Sequence, residues 1–276
     1  MRKTQLIFLI VIGLLSGLPA FSQKTIKGLI NAEKAFAAYT LAHTIKEGFL
    51  NYMDSNGVVF RQGNAVNALA AFRQQKAGPG VLTWGPSFAA ISASGDMGVT
   101  AGPYEFREKS SKDTPLNKGS FSSIWHINQK GEWKNLADLG VTYNTVSVPV
   151  KSVEQLLLQK GEIITFNFQD VLLNDHKLNE AIQQRDKEAW KPYLAAESLL
   201  HVEGHTLYKG VEQINTGLKT IPTGLILQSL NGGMASSRDF AYTYGTVLVG
   251  EKKDNYLRAW ICRKGQWQVI MQTIKW

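Results

Sequence analysis

Several blocks of this sequence occur twice in the same order, and that repetition limits the possible architecture more than any local pattern does. Thr44-Ile45-Lys46-Glu47-Gly48-Phe49-Leu50-Asn51-Tyr52-Met53 is answered, 141 positions on, by Arg185-Asp186-Lys187-Glu188-Ala189-Trp190-Lys191-Pro192-Tyr193-Leu194. Lys-Glu, an aromatic residue, a tyrosine and an apolar residue fall in register. The same offset carries Val58-Val59-Phe60 onto Leu199-Leu200-His201 and Gly63 onto Gly204. Ser94-Gly95-Asp96 with Gly102 is matched by Ser237-Arg238-Asp239 with Gly245, at an identical Asp-to-Gly interval. Trp125 with Gly131-Glu132-Trp133 is matched by Trp260 with Gly265-Gln266-Trp267. Two homologous domains follow, with insertions confined to the stretches between blocks.

Each half reads the same way. A helix is predicted over Leu29–His43 and again over Asp170–Gln184, where Leu178 and Ile182 share a face. A short second helix carries the Lys-Glu-aromatic block, then an apolar strand (Val58–Phe60; Leu199–Val202) and a polar helix (Ala65–Gln75; Leu207–Leu218). Strands follow over Ser87–Ser92, Met97–Arg107 and Ser120–Asn128, and over Leu225–Leu230, Phe240–Val249 and Tyr256–Arg263. Each half closes on a hairpin whose glycine, Gly131 or Gly265, suits a positive φ. Helices first and an antiparallel sheet after is the α+β pattern. It predicts two cone-shaped domains, each with N-terminal helices packed on a curved, mostly antiparallel sheet. The expected boundaries are 23–143 and 170–276, joined by a linker and packing segment 144–169 with a helix-like stretch at Val153–Leu158. A chain of 276 residues, 44% hydrophobic, is long enough for two such cores.

Residues 1–22 read as a delivery segment. Met1-Arg2-Lys3 is basic, Leu6–Leu15 is apolar, and Gly17, Pro19, Ala20 and Ser22 precede Gln23. The order predicts cleavage before Gln23 and a secreted or periplasmic protein. The apolar run falls short of a membrane span, so no stable membrane insertion is expected after cleavage. Removing Arg2 and Lys3 lowers the formal charge from +8 to +6. The remaining bases are scattered among acids without a stripe, which predicts no nucleic-acid partner. The lone Cys262 cannot close an internal disulfide.

With these blocks assembled, the chain resembles a tandem of nuclear transport factor 2-like domains. More specifically it resembles the bacterial domain of unknown function 4440 group, a relative of the ketosteroid isomerase and SnoaL-like families. Phe49-Leu50-Asn51-Tyr52-Met53, Val59-Phe60-Arg61-Gln62-Gly63, Leu82-Thr83-Trp84, Ser92–Gly98, Thr100–Phe106 and Gly131-Glu132-Trp133-Lys134 carry the resemblance. It implies a cone with an open mouth, and the superfamily holds isomerases, dehydratases, hydrolases, cyclases and pure binding modules, so it assigns no chemistry. Counted from the shared tyrosine, the isomerase base position falls on Phe60 and His201, and the tyrosine donor on Phe36 and Lys177. Phenylalanine cannot take a proton, so only the second half keeps a base candidate.

His201 is therefore the catalytic candidate, with Glu203 orienting it or Tyr193 supporting it. His201, Glu203 and His205 also make a loose metal set, against the plain alternative of a half-buried histidine and a surface pair; no metal and no cofactor are expected. Asp138 ends the last strand of the first half, where Gln272 stands in the second; it serves either as a cone carboxylate or as a sheet-edge cap. Asp96 and Asp239 suit turns in which the side chain bonds its own backbone. Tyr52, Trp84, Tyr104, Trp125, Tyr193, Tyr242 and Trp260 are either pocket lining or core. Asn231-Gly232-Gly233-Met234 reads as a hairpin tip. Three functions stay open: a binder of a small, mostly apolar molecule, a cofactor-free lyase, isomerase or hydrolase using His201, and a scaffold whose sheets pair as a pseudo-dimer or with a second chain.

Overall fold

The computed structural model describes residues 24–143, 150–159 and 165–276. The expected delivery segment 1–22 lies outside the described residues, as do residues 144–149 and 160–164 of the expected linker.

Thr25 starts the first helix, its hydroxyl accepting the Gly28 amide at 3.0 Å. That helix, α1 (Ile26–Ala42), buries one stripe: Ile26, Leu29, Ile30, Glu33, Phe36 and Thr40. α2 (Ile45–Tyr52) is capped by Thr44, which accepts from the Glu47 amide at 3.1 Å and donates to the Glu47 carboxylate at 2.7 Å. Then come β1 (Met53–Arg61), β2 (Asn64–Asn67), α3 (Ala68–Gln74), β3 (Val81–Trp84) and β4 (Phe88–Ile91). β5 (Met97–Arg107), β6 (Asn117–Ile127), β7 (Trp133–Thr142) and β8 (Glu154–Leu157) complete a sheet ordered β2-β1-β7-β6-β5-β4-β8, with β3 also on β5.

The second half repeats the plan. Asn167 and Asp170 cap α4 (Phe168–Arg185) reciprocally. A 3-10 helix (Asp186–Tyr193) stands where the first half has α2; Pro192 inside it has no N–H to give an α-helical ladder. β9 (Leu194–Val202), β10 (Tyr208–Lys209), α5 (Gly210–Leu218), β11 (Ile226–Met234), β12 (Phe240–Val249), β13 (Lys252–Arg263) and β14 (Gln266–Ile274) follow. Their sheet is ordered β10-β9-β14-β13-β12-β11, parallel only at β9–β14. Gly131 and Gly265, at φ 77 and 70, take the hairpin turns expected of them. The fold is α+β: two curved sheets of mixed direction, each with its helices N-terminal.

Several segments depart from the sequence reading. Val153–Leu158 is not helix-like; Glu154–Leu157 adds as a parallel strand to β4, from Phe88↔Glu154 to Ile91↔Leu157, satisfying an otherwise open edge. Asn231–Met234 is no hairpin tip but the end of β11, paired with Tyr244–Ala241 after a register shift. Gly232 is required there because a Cβ would lie 1.9 Å from the Tyr242 carbonyl oxygen. The polar helices start late, at Ala68 and Gly210, each after a short strand.

The central strands of both sheets, β6, β9 and β13 among them, are buried on both faces. Ile124 and Trp125 are neighbours on β6, yet Trp125 packs under α1 and α2 while Ile124 packs with residues of the second half. That shared cluster joins Val99, Ala101 and Leu139 of the first sheet to Leu199, Tyr244, Leu257 and Ile270 of the second, so the two sheets lie against one another. Phe60 meets Tyr244 edge-on at 5.5 Å. At one end the two matching turns clasp reciprocally. Asp239 accepts from the Ala93 amide at 2.9 Å and Asp96 from the Ser236 amide at 3.2 Å, while the Ser94 and Ser237 hydroxyls stand 2.8 Å apart. Asp96 and Asp239 thus bond the opposite half's turn, not only their own as the sequence suggested.

Candidate functional site

The face of each sheet turned to its own helices forms a cone, and the two cones differ in what fills them. In the first, α1 brings Glu33 to the centre, fully buried. Its carboxylate accepts from the indoles of Trp84 and Trp125 (2.8 Å for Trp125) and from the Thr100 hydroxyl. Burial pushes the Glu33 carboxyl above its ordinary range, and those hydrogen bonds oppose the shift. Across the sheet, Thr100 pairs with Ser123 and Ser123 with Asp138. Asp138 accepts from Ser123 Oγ at 2.7 Å; burial pushes its carboxyl up to about 7, the Ser123 bond resisting and the Glu33 charge adding to the rise.

Beside Asp138 lies a cavity of about 130 Å³. Asp138 and Gly140 form part of it, Phe36, Phe49 and Phe121 wall it, and Leu82, Trp84 and Tyr104 form the half-buried rim. Among the described residues, no basic one lines it. Tyr52 stacks on Phe36 at 5.0 Å and backs that wall. Burial pushes the Tyr104 phenol up to about 12, with Glu203, Tyr143 and Asp138 contributing, so it stays a neutral donor or acceptor.

In the second cone α4 places Asp175 where α1 places Glu33, and Thr243 and Trp260 repeat Thr100 and Trp125. Trp260 donates to Thr243 Oγ1 at 2.8 Å, and Thr243 to Asp175 at 2.9 Å. The rest of the row changes: Thr243 pairs with Arg258, and Arg258 with Gln272. Arg258 is fully buried. It donates from Nη1 to Asp175 at 2.6 Å and to Asn179 at 2.8 Å, and from Nε to Gln272. Its guanidinium lies 4.4 Å from the Tyr256 ring centre, and the Tyr256 hydroxyl donates to Asp175 at 2.6 Å. Tyr193 meets Trp260 edge-on at 6.3 Å at the wall of this core. Val171, Leu178, Ile182, Leu200 and Val202 pack it closed.

The structure gathers Trp84, Tyr104, Trp125, Asp138 and Tyr52 in the first cone, and Tyr193 and Trp260 in the second. His201, Glu203 and Tyr242 lie in neither. On β9 it is Leu200 and Val202 that face the second cone, while His201 projects to the opposite side. There it is 1% exposed and hydrogen-bonded through Nδ1 with Ser122 of the first half at 3.0 Å, beside Thr273. Burial holds its imidazole down at about 4, uncharged at neutral pH. Phe60 sits on the same side of β1, so neither matched residue is a cone base. His201 instead borders a cleft of about 630 Å³ between the halves, with Ser120, Tyr143, Lys151 and Leu207. Glu203 accepts from the Thr142 amide at 3.2 Å and its hydroxyl, bridging the halves. Tyr242 stacks on Tyr244 in the sheet-to-sheet cluster. The tyrosine-donor count also slips: Phe36 reaches the cone, but Lys177 is exposed and Leu178 is buried in its place. Among the described residues no three His, Cys, Asp or Glu side chains converge to hold a metal ion, and no helix is long and apolar enough to cross a membrane.

Sequence reading missed Glu33, Asp175, Ser123 and Arg258. The signal for the acids was present: Glu33 is four residues after Leu29 and three before Phe36, and Asp175 bears the same relation to Val171 and Leu178. An acid at the centre of an apolar stripe has no solvent to face.

No family model matches this sequence, and no curated protein matches it. Among solved structures, the chain is similar to a protein of unknown function with a cystatin-like fold from Nostoc punctiforme, 19% identical over 41% of this chain and 93% of that one, with a TM-score of 0.34. It is similar to an NTF2-like protein from Cytophaga hutchinsonii, 20% identical over 39% and 97% of the two chains, TM-score 0.32. An NTF2-like protein of unknown function from Shewanella oneidensis is 15% identical over 38% and 96%, TM-score 0.32.

Proposed function

We propose that this is an exported binding protein whose first cone holds one small, mostly apolar molecule, its polar end on Asp138. The observation that carries the reading is an aromatic-walled cavity that ends on the half-buried Asp138, with the fully buried Glu33 close enough for its charge to act on Asp138 and no cation among the described residues that line the cavity. A carboxyl at the end of an otherwise apolar cavity favours an occupant that brings a polar group to it. Its size suits about one ring, comparable to the ~150 Å³ engineered cavity that takes benzene. The second half then serves as its structural partner. The tandem nuclear transport factor 2-like assignment, and the domain of unknown function 4440 group within it, rest on the sequence blocks. Export rests on the basic, apolar and small-residue order of residues 1–22, and N-terminal sequencing of secreted material should begin at Gln23.

The test is a thermal-shift and ligand-observed NMR screen of single-ring compounds against the wild type and Phe121→Trp, which fills the cavity. Stabilisation of the wild type alone supports the reading; equal shifts in both overturn it. Because Asp138 titrates near neutrality, it is the group best matched to proton transfer. If the screen finds turnover of a small carbonyl or epoxide compound, that turnover should vanish in Asp138→Asn and survive His201→Ala.

A further inference from the structure

The second cone displays what the first one lacks. Thr100-Ser123-Asp138 and Thr243-Arg258-Gln272 are the same row of paired positions on three adjacent strands. The central acid is kept in both halves, as Glu33 and as Asp175. In the second, a guanidinium from the middle of the row lies against that acid and over an aromatic ring, 4.4 Å from the centre of Tyr256. In the first, the middle position is a serine, and the third is a further carboxyl, Asp138, which lines the cavity together with Phe121, the counterpart of Tyr256. The first cone therefore exchanges one cation for one acid relative to its copy. A buried acid is favourable only when paired and hydrogen-bonded, and rings such as Trp84 and Phe36 attract a cation placed over their faces.

We infer that the occupant of the first cone is a small organic cation, an ammonium or amidinium group on an apolar body of about one ring, seated where Arg258 sits in the second cone. This rests on the reading that the first cone is a ligand pocket, and it adds the charge of the ligand. Ser123→Arg should reproduce the second cone's arrangement and exclude the ligand. Arg258 shows in addition that the fold accommodates a guanidinium beside this acid without solvent, since it is fully buried.

The test is titration of the full chain with benzylammonium, benzyl alcohol and benzoate, read by calorimetry and by ring-proton NMR. The expected result is benzylammonium bound at least about tenfold more tightly than benzyl alcohol, with benzoate weakest. Asp138→Asn should bring the cation down to the level of the alcohol while the alcohol is unchanged, and Ser123→Arg should abolish both. Since Ser123→Arg risks overpacking, the wild-type ranking alone decides the inference. If the alcohol equals or exceeds the cation in the wild type, the inference falls and the pocket reading stands. If none of the three binds at millimolar concentration, both fall.

Discussion

Removing the guanidinium of Arg258 should be among the most damaging single changes in the second half. Arg258 and Asp175 are both fully inaccessible, and their 2.6 Å ion pair has no water to replace either partner. Arg258→Met preserves much of the side-chain volume but strands Asp175 beside Tyr256, Thr243 and Ser229, hydroxyls that solvate a carboxylate only in part. Breaking one side of such a pair costs about 3–5 kcal/mol. Asp175→Asn should cost nearly as much by leaving the guanidinium unpaired. The double variant Arg258→Met/Asp175→Asn buries no net charge and should cost far less than the sum, with a coupling of about 2 kcal/mol or more. Urea unfolding followed by tryptophan fluorescence reads this directly, Trp190 and Trp260 both lying in that core; an unchanged slope with urea keeps the comparison sound. A single-variant cost under about 1 kcal/mol, or strict additivity, would show that Arg258 is not the internal counter-ion described above.

The pH dependence of stability divides between two buried groups and one turn. Asp138 is raised to about 7 from 3.8, so the folded state holds its proton longer than the unfolded chain does, and its contribution to stability falls as pH climbs from about 4 to 7. Asp138→Asn should remove that decline and stabilise the protein at pH 8 by a few kcal/mol, at ~1.4 kcal/mol per unit; an unchanged urea midpoint there would refute the assignment. The groups facing Asp138 are Glu33 from α1 and Tyr104 from β5, the latter neutral throughout this range. His201 is lowered from 6.5 to about 4, so its stability contribution is complete above about 6.5 and drains away as pH falls toward 4. His201→Phe, which copies Phe60 of the first half, should fold and flatten the stability profile in that window. At the clasp, hydrogen bonds from Ser236 and Ser94 hold the Asp96 carboxyl below its usual range despite burial. Asp96→Ala should cost about 1–3 kcal/mol and speed hydrogen exchange at Ser236 and Ser237, with the amides of α1 unaffected.

Much of this architecture was legible because the chain states its plan twice. Helical spacing around Leu29 and Leu178, the paired Tyr52 and Tyr193, and the glycines at the hairpins are local signals, and local geometry decides them. Asp138 stood out because its counterpart was an amide. What the residues withheld is sidedness. A strand exposed on one face alternates apolar with polar, but β6, β9 and β13 are buried on both, so His201 and Leu200 carry no mark saying which meets the helices and which the other sheet. β8 was hidden for a related reason: its partner, β4, is 66 residues away in the pairing Ala89↔Gln155, and edge pairing across such a distance leaves no local periodicity. Glu33 and Arg258 were passed over because charge is ordinarily read as solvent exposure, and here each is answered by a residue on another element.

Because the sheets seal each other back to back, each cone opens away from the contact that holds the halves together. In a symmetric pair of identical chains, any residue placed in one hollow appears in the other as well. Joining the copies end to end lifts that rule. Here one hollow is filled by its own arginine, while its twin keeps a cavity behind an aromatic rim, and the two differ without any change at the seam between them.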